Sequence, residues 1–154
     1  MNYGQLEQVL EEAKYRFLAQ EGYLLEANVN ERSLTHKFAE YLQAVVGREW
    51  SVDCEYNRYG TGAKVIDDLI DIVGASTPTY ETKARTVYPD IIIHRRGPAG
   101  PNLLVIEAKK DATVGDREAD WCKLKTIKAE YSYVFAAFVN FSTEDGEIEV
   151  ELLE

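Results

Sequence analysis

The chain has 154 residues, 45% hydrophobic and 29% charged, and these values fit one compact domain better than two. Its 10 Gly and 4 Pro are too few for a linker-rich or disordered protein. Its formal net charge of −10 argues against a protein that coats nucleic acid nonspecifically. No apolar run approaches the ~20 residues that cross a bilayer, and no secretory signal is visible. Cys54 and Cys122 are expected to be free thiols in a cytoplasmic protein.

The first third of the chain is predicted to form two helices and a strand. Apolar residues recur at helical spacing over residues about 4–20. Asn30 suits the N-cap of the second helix and Gly47 suits its end. Trp50–Tyr56 alternates apolar and polar residues, as a strand does.

Residues 57–87 show little pattern apart from a short helix predicted around Lys64–Val73. Asp67, Asp68 and Asp71 in that segment could form an acidic metal cluster. Apolar residues surround them at helical spacing, however, so a solvated polar face is the better interpretation.

Two aliphatic strands, Asp90–His94 and Leu103–Lys109, flank a strong turn signal at Arg96–Pro101. Near-continuous aliphatic runs are typical of strands that are covered on both faces. The order of elements therefore predicts an α/β fold with a mixed central β-sheet, completed by a helix and two strands at residues about 116–129, 133–140 and 147–152.

A symmetric hairpin would place Asp90 opposite Glu107, with Leu103, Val105 and Lys109 on the same face. Two opposed carboxylates repel each other, so a positive group is expected between them. Lys109 is one candidate, and a divalent cation is the other. Oxygen ligands suit Mg²⁺ or Mn²⁺. The alternative is a surface cluster of these three residues on an edge hairpin.

Pro89-Asp90, followed after sixteen residues by Glu107-Ala108-Lys109 on the next strand, resembles the PD-(D/E)XK nuclease superfamily, which includes type II restriction enzymes and Holliday junction resolvases. The resemblance covers residues about 30–140. It implies a restriction-endonuclease-like sheet within a single 1–154 domain, with residues 1–27 as a helical extension and 57–87 as an insertion. Small uncharacterised prokaryotic members of the superfamily resemble the chain at Glu55–Arg58, Pro89–Gly97, Asn102–Lys110 and Asp120 with Lys123-Leu124.

The resemblance also implies roles for the matching residues. Asp90 and Glu107 would be metal ligands, with the main-chain carbonyl of Ala108 as a third. Lys109 would orient or deprotonate the attacking water and offset charge on the phosphate. A further acid often comes from the preceding helix, and Glu31, which lies in line with that helix's apolar stripe, is the better candidate. The alternative for Glu31 is a purely electrostatic effect on the helix N-terminus, while Glu40 is predicted to be a surface residue.

Residues 83–128 have a local net charge of +4 within an otherwise acidic chain. Ordinary surface charge mixing is one explanation, and a site for an anionic substrate is the other. Within this segment Lys123, Arg95 and Arg96 are candidates for contacts with DNA phosphates. An exposed helix lysine and charged residues beside a turn are the alternatives.

These observations predict a Mg²⁺- or Mn²⁺-dependent nuclease that hydrolyses the DNA backbone, with duplex or branched DNA as its partner and no membrane. Cutting a duplex would require a homodimer or a protein that delivers the substrate. One alternative is a catalytically inactive DNA-binding or assembly component of the same fold. Another is a hydrolase of a different phosphate ester, which the absence of a G-x-x-x-x-G-K loop disfavours.

Overall fold

The computed structural model describes residues 1–56, 88–97 and 100–153, together with the backbone of four two-residue strands between residues 58 and 86. Its helices are α1 (Tyr3–Glu21), α2 (Tyr23–Glu26), α3 (Glu31–Val46) and α4 (Val114–Glu130). Its strands are β1 (Ser51–Cys54), β2 (Arg58–Tyr59), β3 (Gly62–Ala63), β4 (Val65–Ile66), β5 (Arg85–Thr86), β6 (Ile91–His94), β7 (Asn102–Lys110), β8 (Phe135–Ser142) and β9 (Glu147–Leu153).

A five-stranded mixed sheet in the order β1-β6-β7-β8-β9 forms the centre of the fold. Strands β7 and β8 are parallel and are connected through α4, whereas the other neighbouring pairs are antiparallel. Helices α1 and α3 pack on one face of the sheet, and α4 packs on the other. The prediction of an α/β fold with a mixed central sheet flanked by helices is confirmed.

Helix α3 begins and ends at the residues that the sequence indicates. The side chain of Asn30 accepts a hydrogen bond from the N–H of Ser33 at 2.9 Å, which satisfies one of the free donors of the first turn. Gly47 follows the helix with φ of +82°, a conformation that glycine adopts without steric cost. This local chemistry places Glu31 in the first turn of α3.

The two central hairpin strands are buried on both faces. Ile92 and Val105 pack with Leu124 of α4, while Ile91 packs with Phe38 of α3 on the opposite face. Burying an aliphatic side chain of this size contributes roughly 1.5–3 kcal/mol. The expected two-sided burial of these strands is therefore confirmed, and it fixes the face on which each neighbouring polar residue lies.

The first three residue pairs of β6 and β7 match the symmetric hairpin. The register then shifts by one residue, so that His94 lies opposite Asn102. Because of this shift, Leu103 packs against the core under α1 and α3, and its predicted position on the face of Val105 is wrong.

The short helix predicted around Lys64–Val73 is wrong where the structure describes it. Val65–Ile66 form β4, which pairs antiparallel with β5. Both residues are β-branched and fit a strand better than a helix. The rest of that segment, with Asp67, Asp68 and Asp71, lies outside the described residues.

Two predictions from composition concern cysteines and membranes. Cys54 and Cys122 are both free thiols, as expected. Within the described ranges, every helix is too short or too polar to span a bilayer.

Candidate active site

The carboxylate of Asp90 contacts the backbone of Ala108, the middle residue of the Glu107-Ala108-Lys109 motif on β7. Asp90 directly precedes β6, and its Oδ2 accepts a hydrogen bond from the N–H of Ala108 at 2.8 Å. Ala108 stands between Glu107 and Lys109, whose side chains both contact residues of α4. The hairpin therefore brings Asp90, Glu107 and Lys109 to one place, as the spacing predicts.

Glu107 is the most deeply buried acid of this cluster, at 2% exposure. Its Oε2 accepts a hydrogen bond from Nζ of Lys123 at 2.6 Å. Its Oε1 is also buried, and among the described residues it has no hydrogen-bond partner. An unpartnered buried carboxylate oxygen is costly, and such an atom calls for an explanation such as an ion or a water molecule.

Lys109 lies beside a residue to which the sequence alone assigned no role. Its Nζ is 3.8 Å from Oδ2 of Asp120, a largely buried carboxylate in the middle of α4. Asp120, Leu124 and Ile127 have helical spacing and share the buried side of α4. That spacing was the available signal that Asp120 points toward the sheet.

Glu31 reaches the end of β7 from the other face of the sheet. Its Oε2 accepts a hydrogen bond from the N–H of Lys110 at 3.0 Å. Glu31 and Asp90 line one cleft of about 350 Å³, which is large enough for an ion with its water molecules. Glu40 instead pairs with Lys37 at the surface, as predicted for that residue.

Burial raises the pKa values of three carboxyl groups in the cluster. Burial raises the pKa of Glu107 to about 8, and the charge of Asp90 acts in the same direction, while Lys123 opposes both. Burial also raises the pKa of Asp90 and that of Asp120. Three neighbouring acids that ionise reluctantly are typical of a functional site.

The pKa of Lys109 is raised, so its amino group stays charged. Burial alone would lower its pKa, but the carboxylates of Asp120, Glu31, Asp90 and Glu107 outweigh that effect and raise it. Lys109 is therefore an ammonium group at neutral pH. This state suits charge stabilisation and hydrogen-bond donation better than proton abstraction.

Arg95 and Arg96 directly follow β6, roughly 16–20 Å from Asp90 at ~3.3 Å per residue. The guanidinium of Arg95 stacks 4.7 Å from the ring centroid of Trp50, and that of Arg96 pairs with Asp53. The structure therefore does not bring these two arginines together with the acidic cluster, and their contacts with DNA remain a prediction.

Asp53 connects β1 to the end of β6. Its Oδ2 lies 2.7 Å from Nε2 of the buried His94, and its carboxylate also pairs with Arg96. Burial would raise the pKa of Asp53, but the hydrogen bonds from Arg96 and His94 outweigh it and lower the pKa.

We expect Asp53→Asn to reduce the free energy of unfolding by about 2 kcal/mol at pH 7, because it removes charge-assisted hydrogen bonds. A lowered folded-state pKa means that this stabilisation exists above the unfolded value near 4 and disappears as the pH falls through the folded value. Urea unfolding of the wild type and of Asp53→Asn at pH 7 and at pH 3 measures the difference in their free energies of unfolding. The exposed control Glu144→Gln should change little, and an equal loss for Asp53→Asn at both pH values would contradict the assignment.

A preformed metal centre is not part of the described structure: in those residues, no group of three or more His, Cys, Asp or Glu side chains is arranged to hold an ion. The carboxylates of Glu31, Asp90, Glu107 and Asp120 surround Lys109 without forming such a group. Comparison of the chain with protein-family models, with curated proteins and with solved structures gives no match. The site must therefore be interpreted from its own chemistry.

Proposed function

We propose that the chain is a divalent-cation-dependent nuclease that hydrolyses phosphodiester bonds of DNA on a restriction-endonuclease-like domain. The observation that supports this most directly is the buried Glu107 carboxylate, which lies close to Asp90 and has one oxygen without a partner in the described structure. Lys109 stands on the same strand, two residues further on.

The residues present fit a hard divalent cation. Asp90 and Glu107 would hold it, with the main-chain carbonyl of Ala108 as a third ligand, and these oxygen donors suit Mg²⁺ or Mn²⁺. When ionised, the four acids Glu31, Asp90, Glu107 and Asp120 exceed Lys109 and Lys123 by two charges. A divalent ion would neutralise that excess.

The chemistry divides between the ion and Lys109. A bound divalent ion makes water more acidic and stabilises negative charge on a phosphate. Lys109, an ammonium group at the edge of the cluster, would donate a hydrogen bond to the attacking water or to a phosphate oxygen, and would offset the charge that develops there. Glu31, which lines the same cleft as Asp90, would orient water from the side of α3.

Polymeric DNA fits the site better than a free nucleotide. The sequence has no glycine-rich phosphate loop of the G-x-x-x-x-G-K type, which would enclose a single phosphate group. One site in one chain cuts one strand, so cleavage of both strands would need a second copy or a second encounter.

The test is cleavage of supercoiled plasmid and of single-stranded DNA with Mg²⁺ or Mn²⁺. We expect the wild-type chain to nick or degrade DNA, EDTA to stop it, and Asp90→Asn to be inactive while the surface control Asp145→Asn remains active. DNA binding without cleavage under every ion would favour a non-catalytic binding component. Hydrolysis of mononucleotides alone would favour a different phosphate-ester hydrolase.

A further inference from the structure

The two oxygens of Glu107 have unequal surroundings. Oε2 accepts a hydrogen bond from Lys123 at 2.6 Å, whereas Oε1 has no partner in the described part of the chain. Glu107 is 2% exposed as a residue, so water does not freely replace a missing partner. One oxygen is therefore held, and the other is buried without a partner among the described residues.

Lys123 is well placed to hold Glu107 because rigid elements fix both residues. Leu124, the next residue of α4, packs in the core with Val105 of β7. The Lys123 side chain is 29% exposed, so its ammonium lies at the boundary of the core rather than free in solvent. Glu107 is the one hydrogen-bond partner of this ammonium among the described residues.

We propose that Lys123 is a positioning residue that fixes the Glu107 carboxylate through Oε2 and so presents Oε1 to the divalent cation. This inference rests on the proposed function, because it concerns the same cation. It differs from a direct contact between Lys123 and DNA phosphate. Groups that hydrogen-bond a ligating carboxylate orient it, and their loss typically reduces metal affinity by about 10–100-fold.

The opposite behaviour is physically reasonable and must be distinguished. Lys123 would then be a substitute for the cation and would have to leave when the cation binds. In that case its removal would strengthen cation binding, because no ammonium would compete for Glu107. The sign of the change in affinity separates the two mechanisms.

The experiment is calorimetric titration of the metal-free chain with Mn²⁺, without DNA. Lys123→Met keeps most of the aliphatic stem and removes the charge, and Lys123→Arg restores a donor. We expect Mn²⁺ affinity to fall by about 10–100-fold in Lys123→Met and to recover in part in Lys123→Arg. Lys125→Met, an exposed change on the same helix, should bind as the wild type does.

Unchanged or tighter Mn²⁺ binding by Lys123→Met would overturn the proposal, as would equal losses in Lys123→Met and Lys123→Arg. A circular dichroism melt of each variant shows whether it is folded, and Lys123→Gln replaces Lys123→Met if that variant is not. Plasmid cleavage by the wild type is scored separately. If Lys123→Met binds Mn²⁺ more weakly but the wild type does not cleave DNA, the positioning role is retained and the nuclease is rejected. If the wild type cleaves DNA but Lys123→Met binds Mn²⁺ unchanged, the nuclease is retained and the positioning role is rejected. A wild type that binds no Mn²⁺ overturns both.

Discussion

Lys109→Ala should reduce the rate of DNA cleavage by about 10²–10⁴-fold, the range for loss of a group that assists proton transfer or stabilises charge in the transition state. The ammonium of Lys109 lies among carboxylates that keep it protonated, and Lys123, the other ammonium of the cluster, is already hydrogen-bonded to Glu107. Metal binding should persist, because Asp90 and Glu107 are intact. The measurements are single-turnover cleavage of a labelled oligonucleotide and Mn²⁺ titration.

Lys110→Ala is the matched control for this prediction. Lys110 is the next residue of the same strand, but its side chain points away and donates to Asn28 Oδ1 at 2.6 Å. We expect Lys110→Ala to cleave DNA within about threefold of the wild-type rate, because its side chain points away from the acidic cluster and its backbone hydrogen bond to Glu31 does not need that side chain. Equal activity in Lys109→Ala and the wild type would remove Lys109 from the mechanism.

Glu107→Gln should stabilise the metal-free chain at alkaline pH while it abolishes cation binding. Burial raises the pKa of Glu107 to about 8, so the folded state favours the neutral acid. Ionisation of Glu107 therefore costs stability as the pH rises from about 4.5 to 8, and glutamine avoids this cost. At pH 9 we expect Glu107→Gln to be more stable than the wild type by on the order of a few kcal/mol, or about 5–10 °C in Tm.

Thermal unfolding in EDTA at pH 5 and pH 9 measures this effect. The difference between Glu107→Gln and the wild type should be small at pH 5 and large at pH 9. Added Mn²⁺ should raise the Tm of the wild type but not that of the variant, because a ligand stabilises only the state that binds it. Glu40→Gln, a surface acid paired with Lys37, should produce no such gain. A lower Tm for Glu107→Gln at pH 9 would contradict the assignment of Glu107 as a strained functional acid.

Much of the fold could be predicted because its signals are local. The N-cap at Asn30 and the end at Gly47 bound α3 as expected, and aliphatic runs mark the central hairpin. The errors fall where local signals compete. Val65–Ile66 fit both helical spacing and a strand, and a register shift of one residue moved Leu103 to the other face.

The composition of the candidate site was predictable only in part. Asp90, Glu107 and Lys109 could be grouped because strand alternation and a short turn place them on one face. Asp120 was missed as a partner of Lys109, since the side of α4 that faces the sheet depends on how Leu124 packs. No pattern along the chain records that rotation.

By itself, the sequence determined which acidic and basic groups share a hairpin, because residues within a few positions of one turn have little freedom in how they pair. Only the tertiary structure decided that Lys123 hydrogen-bonds Oε2 of Glu107. It also decided that Arg96 pairs with Asp53 and does not lie at the acidic cluster. Those contacts join elements far apart in the chain. Their geometry follows from how the buried apolar faces of the helices fit the sheet, and not from the charged residues themselves.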